Sequence, residues 1–192
     1  MRPKNLEKEA AIRRVALRII SEEGLENLSM QRLAKEAGVS PRTIYIKYQD
    51  KEDLLVKLFI EEVLYTYEQA LLEGFSDSMD LAVGVRHLWL NAFRYFTANP
   101  PAYVLMQYGQ SSPLLNKVFQ KKNIKQGQFF APVHRLLKKH ASVIKNLPFE
   151  AQRALLFAPL LDLVHEYFEP QQVITESIVM TCCETVIKGI ML

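Results

Sequence analysis

The sequence predicts an all-α fold of about nine helices. Apolar residues recur three and four apart along almost its whole length, alternation with a period of two is nearly absent, and glycine and proline cut the chain into helix-length segments. No stretch reads as a credible strand. With 192 residues, 49% of them apolar and 23% charged, the chain can bury a substantial core and lies near the boundary between one domain and two.

The first helix is expected from about Leu6 to Glu23, with Ile12, Val15, Ile19 and Ile20 on its buried stripe and Gly24 as its stop. Ser29 suits the N-cap of a second helix, Met30 to Ala37, whose Met30, Leu33, Ala34 and Ala37 face inward. Gly38 ends that helix. Only Gly38 and Val39 then precede Ser40-Pro41, an N-cap followed by proline at the first helical position, where the missing N–H costs nothing. The third helix, about two turns long, ends near Tyr48. Asp50 caps a fourth from Lys51 to about Glu73, with Leu54, Leu55, Leu58 and either Leu64 or Tyr65 toward its neighbours; its length makes it a connector.

Beyond Gly74, the pairs Asn99-Pro100, Ser112-Pro113, Leu147-Pro148 and Glu169-Pro170 each start or stop a helix. Pro132 and Pro159 fall inside otherwise helical apolar patterns and are expected to kink or break them.

Several function classes find no support. The longest apolar run, Ala154 to Leu161, stops at Asp162, far short of the roughly 20 residues that cross a bilayer. The basic, amphipathic N-terminus lacks a secretory apolar block, and Glu7 and Glu9 argue against a mitochondrial transit peptide, so a cytoplasmic location is expected. Cys182 and Cys183 are adjacent, unsuited to stapling distant segments, and are expected to be small buried thiols. There is no phosphate-cradling glycine loop and no nucleophilic triad pattern, so no catalysis and no cofactor are expected. Asp162 and His165 lie three apart like half of a carboxylate-bridged metal site, but no second half accompanies them and no metal is expected.

Charge is unevenly placed. Through Lys51 the chain has 11 Lys and Arg against 7 Asp and Glu, whereas the remainder has 13 against 14, so the whole net charge of +3 comes from the first quarter. The same quarter holds SMQRLAKEA followed by GVSPRTIYIKY. Two short helices joined by a glycine-containing turn of three or four residues form a helix-turn-helix, whose second helix enters the major groove of DNA. Val39 and Ile44 supply its apolar contacts, leaving Arg42, Thr43, Tyr45 and Lys47 available to a partner. Arginine can make a bidentate contact to guanine, threonine and tyrosine can meet phosphates or a thymine methyl, and lysine neutralises phosphate charge. Lys51 adds a positive charge beside the N-terminal amides of the fourth helix.

The stretch from Ile12 through Leu55, with EEGLENLSMQRLAKEAGVSPRTIYIKYQDKEDLL at its centre, resembles the N-terminal DNA-binding domain of the TetR family of bacterial transcriptional regulators. The residues that carry the resemblance are Gly24-Leu25, Ser29-Met30, Ala34 through Ser40, Ile44-Tyr45 with Tyr48, and Lys51 through Leu54. The resemblance implies phosphate contacts from Ser29, Thr43, Tyr48 and Lys51, and base-edge or mixed contacts from Arg42, Tyr45 and Lys47. Lys47 stands where family members often carry histidine or another aromatic, so a plain phosphate tether is the alternative there. It also implies a DNA-binding domain over residues 1–50, a connecting helix over about 51–73, and a helical ligand-binding and dimerisation domain over 51–192.

The remaining three quarters are aromatic-rich. Trp89, Phe93, Phe96, Tyr103 and Phe129 can serve as core or as apolar pocket walls, with Gln107, His134, Asp162 and His165 as the polar groups that could orient a ligand. The last helix carries Ile174, Ile178, Cys182, Val186 and Ile190 in one row and Val179, Cys183 and Ile187 in a second. One row can pack inside its own chain while the other, with Leu156 and Leu160 of the preceding helix, meets a partner. The resemblance implies a twofold dimer built from these last two helices. The expected function is therefore a ligand-responsive homodimeric repressor, with a double-stranded DNA operator and an unknown small-molecule effector as partners. The competing expectation is a helical sensor or scaffold in which the basic hairpin is incidental.

Overall fold

In the computed structural model, residues 3–113, 116–118 and 131–192 are described. They contain α1 (Pro3–Glu23), a 3-10 turn (Leu25–Asn27), α2 (Met30–Glu36), α3 (Pro41–Lys47), α4 (Lys51–Phe59), a π-helical segment (Ile60–Tyr65) and α5 (Thr66–Leu71). Then follow α6 (Leu81–Ala98), α7 (Pro100–Ser111), α8 (Ala131–Lys139), α9 (Phe149–Phe168) and α10 (Glu176–Ile190). The fold is all-α, and among the described residues the nearest thing to a strand is an isolated bridge between Ile144 and Met191. The chain divides into two compact units, one made of Met1–Tyr65 and Pro100–Asn123, the other of Thr66–Asn99 and Ile124–Leu192.

The first unit closes around α1. Ile12, Ala16, Ile19 and Ile20 are its buried stripe, Ala16 taking the place expected of Val15, which is only half-buried. Leu33 of α2, Ile44 of α3, and Leu54 and Leu58 of α4 complete this core. α7 packs on both α1 and α4, so the chain returns to this unit after the second has begun.

The expected fourth helix does not run on in one form. It gives way at Ile60 to the π-helical segment, where the wider turn buries Ile60, Val63 and Leu64 and leaves Tyr65 exposed. Glu61 and Glu62 of this segment pair with Arg13 of α1.

The second unit is built on α6, which packs against α5, α8, α9 and α10. Trp89 is fully buried at its centre and donates its indole N–H to the Leu156 carbonyl at 2.8 Å. Tyr67 and Phe96 stack at 4.5 Å, and Tyr167 meets Phe93 edge-on at 5.5 Å. Two ion pairs tie α6 to α10: Arg86 with Glu184, and Arg94 with Glu176 in a bidentate pair at 2.7 and 2.9 Å. The Arg94 hydrogen bonds hold the Glu176 carboxyl below its ordinary range.

The two proline expectations fare differently. Pro132 is the second described residue of α8, and the turn that precedes it lies outside the described residues. Pro159 lies inside α9 without breaking it: the helix continues to Phe168, with Pro159 and Leu155, whose carbonyl loses its helical partner, both on the exposed face. Cys183 is buried, which pushes its thiol up to about 12, and Cys182 is half-buried.

Candidate nucleic-acid interface

The connection from α2 to α3 follows from a few residues. Val39 N–H bonds the Ala34 carbonyl at 3.0 Å and Gly38 N–H the Lys35 carbonyl at 3.3 Å, the paired bonds of a Schellman stop. Gly38 occupies the left-handed region at φ 66°, where a side chain would be strained. The hydroxyl of Ser40 accepts the Thr43 amide at 3.2 Å, with Pro41 at the first helical position. At the far end of α3 the Lys57 ammonium donates to the Lys47 carbonyl at 2.5 Å and to Asp53 at 2.8 Å, capping the short helix from α4. A seven-residue helix is too short to persist alone, and these caps with buried Ile44 hold it in place.

The second helix is fixed as firmly. Arg32 forks onto Glu23 at 2.6 and 2.8 Å and reaches Glu36 at 2.6 Å, while Arg18 joins Glu22, Glu23 and Glu36. Hydrogen bonding to Arg32 lowers the Glu23 carboxyl below its ordinary range. These contacts clasp α2 onto α1. Part of the positive excess in this quarter is thus spent on internal pairs.

The seven residues expected to meet DNA divide by environment. Arg42 and Tyr45 are exposed on α3, Tyr45 to 52%, and among the described residues no carboxylate pairs with Arg42. Thr43 is half-buried and shares a 2.9 Å hydrogen bond with Ser40, and Ser29 is exposed with its hydroxyl accepting the Arg32 amide at 3.2 Å. Tyr48 is buried, which pushes its phenol up to about 12, and the ammonium groups of Lys57 and Lys47 lie 5.0 and 5.6 Å from its ring centre. Lys51 is half-buried and donates to the Leu25 carbonyl at 2.6 Å, tying the start of α4 to the 3-10 turn. Lys47 is also half-buried and pairs with Glu9 of α1.

Ile46, which the sequence reading passed over, is 79% exposed. Its position gave a signal: it lies two residues, about 200°, round the helix from buried Ile44. Arg42, Tyr45 and Ile46 therefore share the outward face of α3.

The candidate ligand-pocket residues within the described part of the chain lie in different environments. Trp89, Phe93 and Phe96 are packed in the core of the second unit, where His134, Asp162 and His165 are exposed. Tyr103 is buried in the first unit, and Gln107 there lines an open crevice of about 580 Å³ with Gly24, Lys51, Tyr108 and Ser111. Phe129 lies outside the described residues. Among the described residues no His, Cys, Asp or Glu cluster could hold a metal, and no helix is long and apolar enough to cross a membrane.

The candidate dimer residues also divide. Leu156 and Leu160 are buried within their own unit, whereas Leu155, one residue away on α9, is 48% exposed. On α10, Val179, Cys183 and Ile187 form the buried row, which Ile190 joins; Ile178 is 41% exposed, with Cys182 and Val186 half-buried, and Ile174, expected on this helix, is half-buried just before its N-cap Thr175.

Residues 12–58 match bacterial regulatory proteins of the tetR family, a span that includes every α2, α3 and α4 residue named above except Phe59 and the segment beyond it. An uncharacterised HTH-type transcriptional regulator of Haemophilus influenzae is 30% identical over 121 residues, so the chain spans 63% of the length of that relative and 63% of its own. A TetR-family structure from Marinobacter aquaeolei shares the fold over 100% of this chain and 99% of its own, with a TM-score of 0.80 at 24% identity. Another, from Vibrio parahaemolyticus, covers 96% of this chain and 99% of its own with a TM-score of 0.73 at 27% identity. The helix-turn-helix segment thus matches bacterial regulatory proteins of the tetR family over residues 12–58, and the fold of the whole chain is similar to that of TetR-family structures.

Proposed function

We propose that the protein is a DNA-binding transcriptional regulator, a homodimeric repressor that releases a pseudo-palindromic operator when a small-molecule effector binds. The observation that carries this reading is α3: a capped two-turn helix, held by α1 and α4, presenting Arg42 and Tyr45 outward with no carboxylate on Arg42 among the described residues. A free guanidinium matches the O6 and N7 acceptors of guanine, and the tyrosine hydroxyl can meet a phosphate or base edge. Ser29, Thr43, Tyr48 and Lys51 are the phosphate-side residues of the same proposal. Residues 1–50 act as the reading domain, and the segment through about residue 73 links it to the effector-binding and dimerising remainder, in the cytoplasm.

Dimerisation follows from the size of the reader. One seven-residue helix offers few base contacts, whereas two readers held about 34 to 36 Å apart, or a multiple of that, combine both half-sites. The exposed Leu155 and Ile178 are the apolar surface available to a second copy. An effector lowers operator affinity only as far as it prefers the arrangement with the wrong separation.

Selection of bound duplexes from a random pool tests the reading, the expected product being an inverted repeat of that spacing. Ile178→Glu places a charge on the dimer surface and is expected to yield monomers by sedimentation, with operator affinity reduced about a hundredfold or more as the second half-site ceases to be intramolecular. A fully dimeric Ile178→Glu protein with unchanged affinity contradicts that placement. Lys47, turned toward Glu9, is expected to act on packing: Lys47→Ala should cost at most about 1 kcal/mol of stability in urea unfolding. Its order of preference among operator variants should be unchanged, and an altered order would return Lys47 to the groove.

A further inference from the structure

We propose that Ile46 is a specificity-determining residue that reads the 5-methyl group of one thymine in each operator half-site. The inference rests on the DNA-reading function proposed above and extends it to a residue and a base.

Ile46 is the most exposed residue among the large hydrophobics of α3, at 79%, and its branched side chain gains nothing for the helix in water. Arg42 lies four residues before it and Tyr45 beside it, so one face of α3 offers a cation, an aromatic ring and an aliphatic cap. No Asp or Glu occurs from Ala37 through Gln49, so no carboxylate on the α2–α3 turn or on α3 itself repels a phosphate backbone there. Lys47 points instead to α1, and the Thr43 hydroxyl is held at the helix start. The outward face is thus more apolar than the sequence of GVSPRTIYIKY suggests.

A major-groove edge offers one apolar group, the thymine C5-methyl. Arg42 and Ile46 are four residues apart, about 6 Å along α3, which corresponds to one or two base steps at about 3.4 Å each. The expected half-site therefore has a guanine met by Arg42 and, one or two steps away, a thymine whose methyl packs on Ile46.

The test uses the full-length protein and a duplex that it has itself selected from a random pool. Each thymine is replaced in turn by deoxyuridine, in both half-sites together, which removes the methyl and keeps every hydrogen-bonding group. Fluorescence anisotropy should find one position where the wild type loses about fourfold per half-site, about fifteenfold for the pair, the value of one buried methyl at each contact. Ile46→Ala, which should fold normally because the side chain is exposed, should bind the thymine and deoxyuridine duplexes alike while still discriminating at the guanine. A wild type indifferent to deoxyuridine at every position, or an Ile46→Ala protein that retains the wild-type loss, overturns the Ile46 assignment and leaves the regulator reading standing. Selection that enriches no sequence overturns both.

Discussion

Arg42→Ala is expected to weaken operator binding by about 1–3 kcal/mol per half-site, roughly a factor of 5 to 150, and to relax preference at one base pair in each half-site. The magnitude follows from what the guanidinium meets. In the free protein Arg42 is exposed on α3, and among the described residues no carboxylate must be left behind when it binds a guanine. Removal of the side chain therefore subtracts the base contact and little else. Lys51→Ala provides the contrast, because Lys51 ties α4 to the turn at Leu25 and has no place on the outward face of α3. Its loss should weaken all sequences alike. Affinities measured on the selected operator and on its single-base variants separate the two, and an equal loss on every sequence for Arg42→Ala would remove its base-reading role.

Trp89→Ala is expected to destabilise the second unit by about 3–5 kcal/mol, a large share of the roughly 5–15 kcal/mol that holds a domain folded. The side chain is fully buried on α6, the helix on which α5, α8, α9 and α10 all pack, and its N–H satisfies the Leu156 carbonyl. Trp89→Phe separates these two contributions. It keeps most of the apolar volume and leaves the carbonyl without its donor, an expected cost of about 1–3 kcal/mol. Urea unfolding checks both, and a loss below about 1 kcal/mol for Trp89→Ala would mean that this core repacks freely. Because the same helices expose Leu155 and Ile178, the destabilised protein should also dimerise less well.

Local signals made the N-terminal part of the fold legible in the sequence. Ser29, Ser40 and Asp50 each cap a helix as their types and positions indicate, and Gly38 stops α2 in the one backbone region that needs it. The π-helical segment at Ile60–Tyr65 was hidden because leucine and valine keep a helical spacing through it, and the pairs that Glu61 and Glu62 make there with Arg13 join residues far apart in sequence. The same limit applied to Lys47. A basic residue on a short helix reads as available until its partner, here Glu9, is folded beside it. Trp89, Phe93 and Phe96 follow a pattern that suits a core and a pocket wall equally, and all three are buried in the second unit. For Leu156 and Leu160 periodicity identified an apolar stripe on α9 but not which neighbour would cover it.

The most direct test of the central claim is the affinity of the purified protein for the DNA upstream of its own gene against a scrambled duplex, by fluorescence anisotropy at two salt concentrations. The account predicts binding at least about a thousandfold tighter to the genuine site. It also predicts that affinity falls with salt at a logarithmic slope of about −0.9 for each phosphate neutralised. Equal binding to the two duplexes with no salt dependence would contradict the assignment of α3 as a DNA reader.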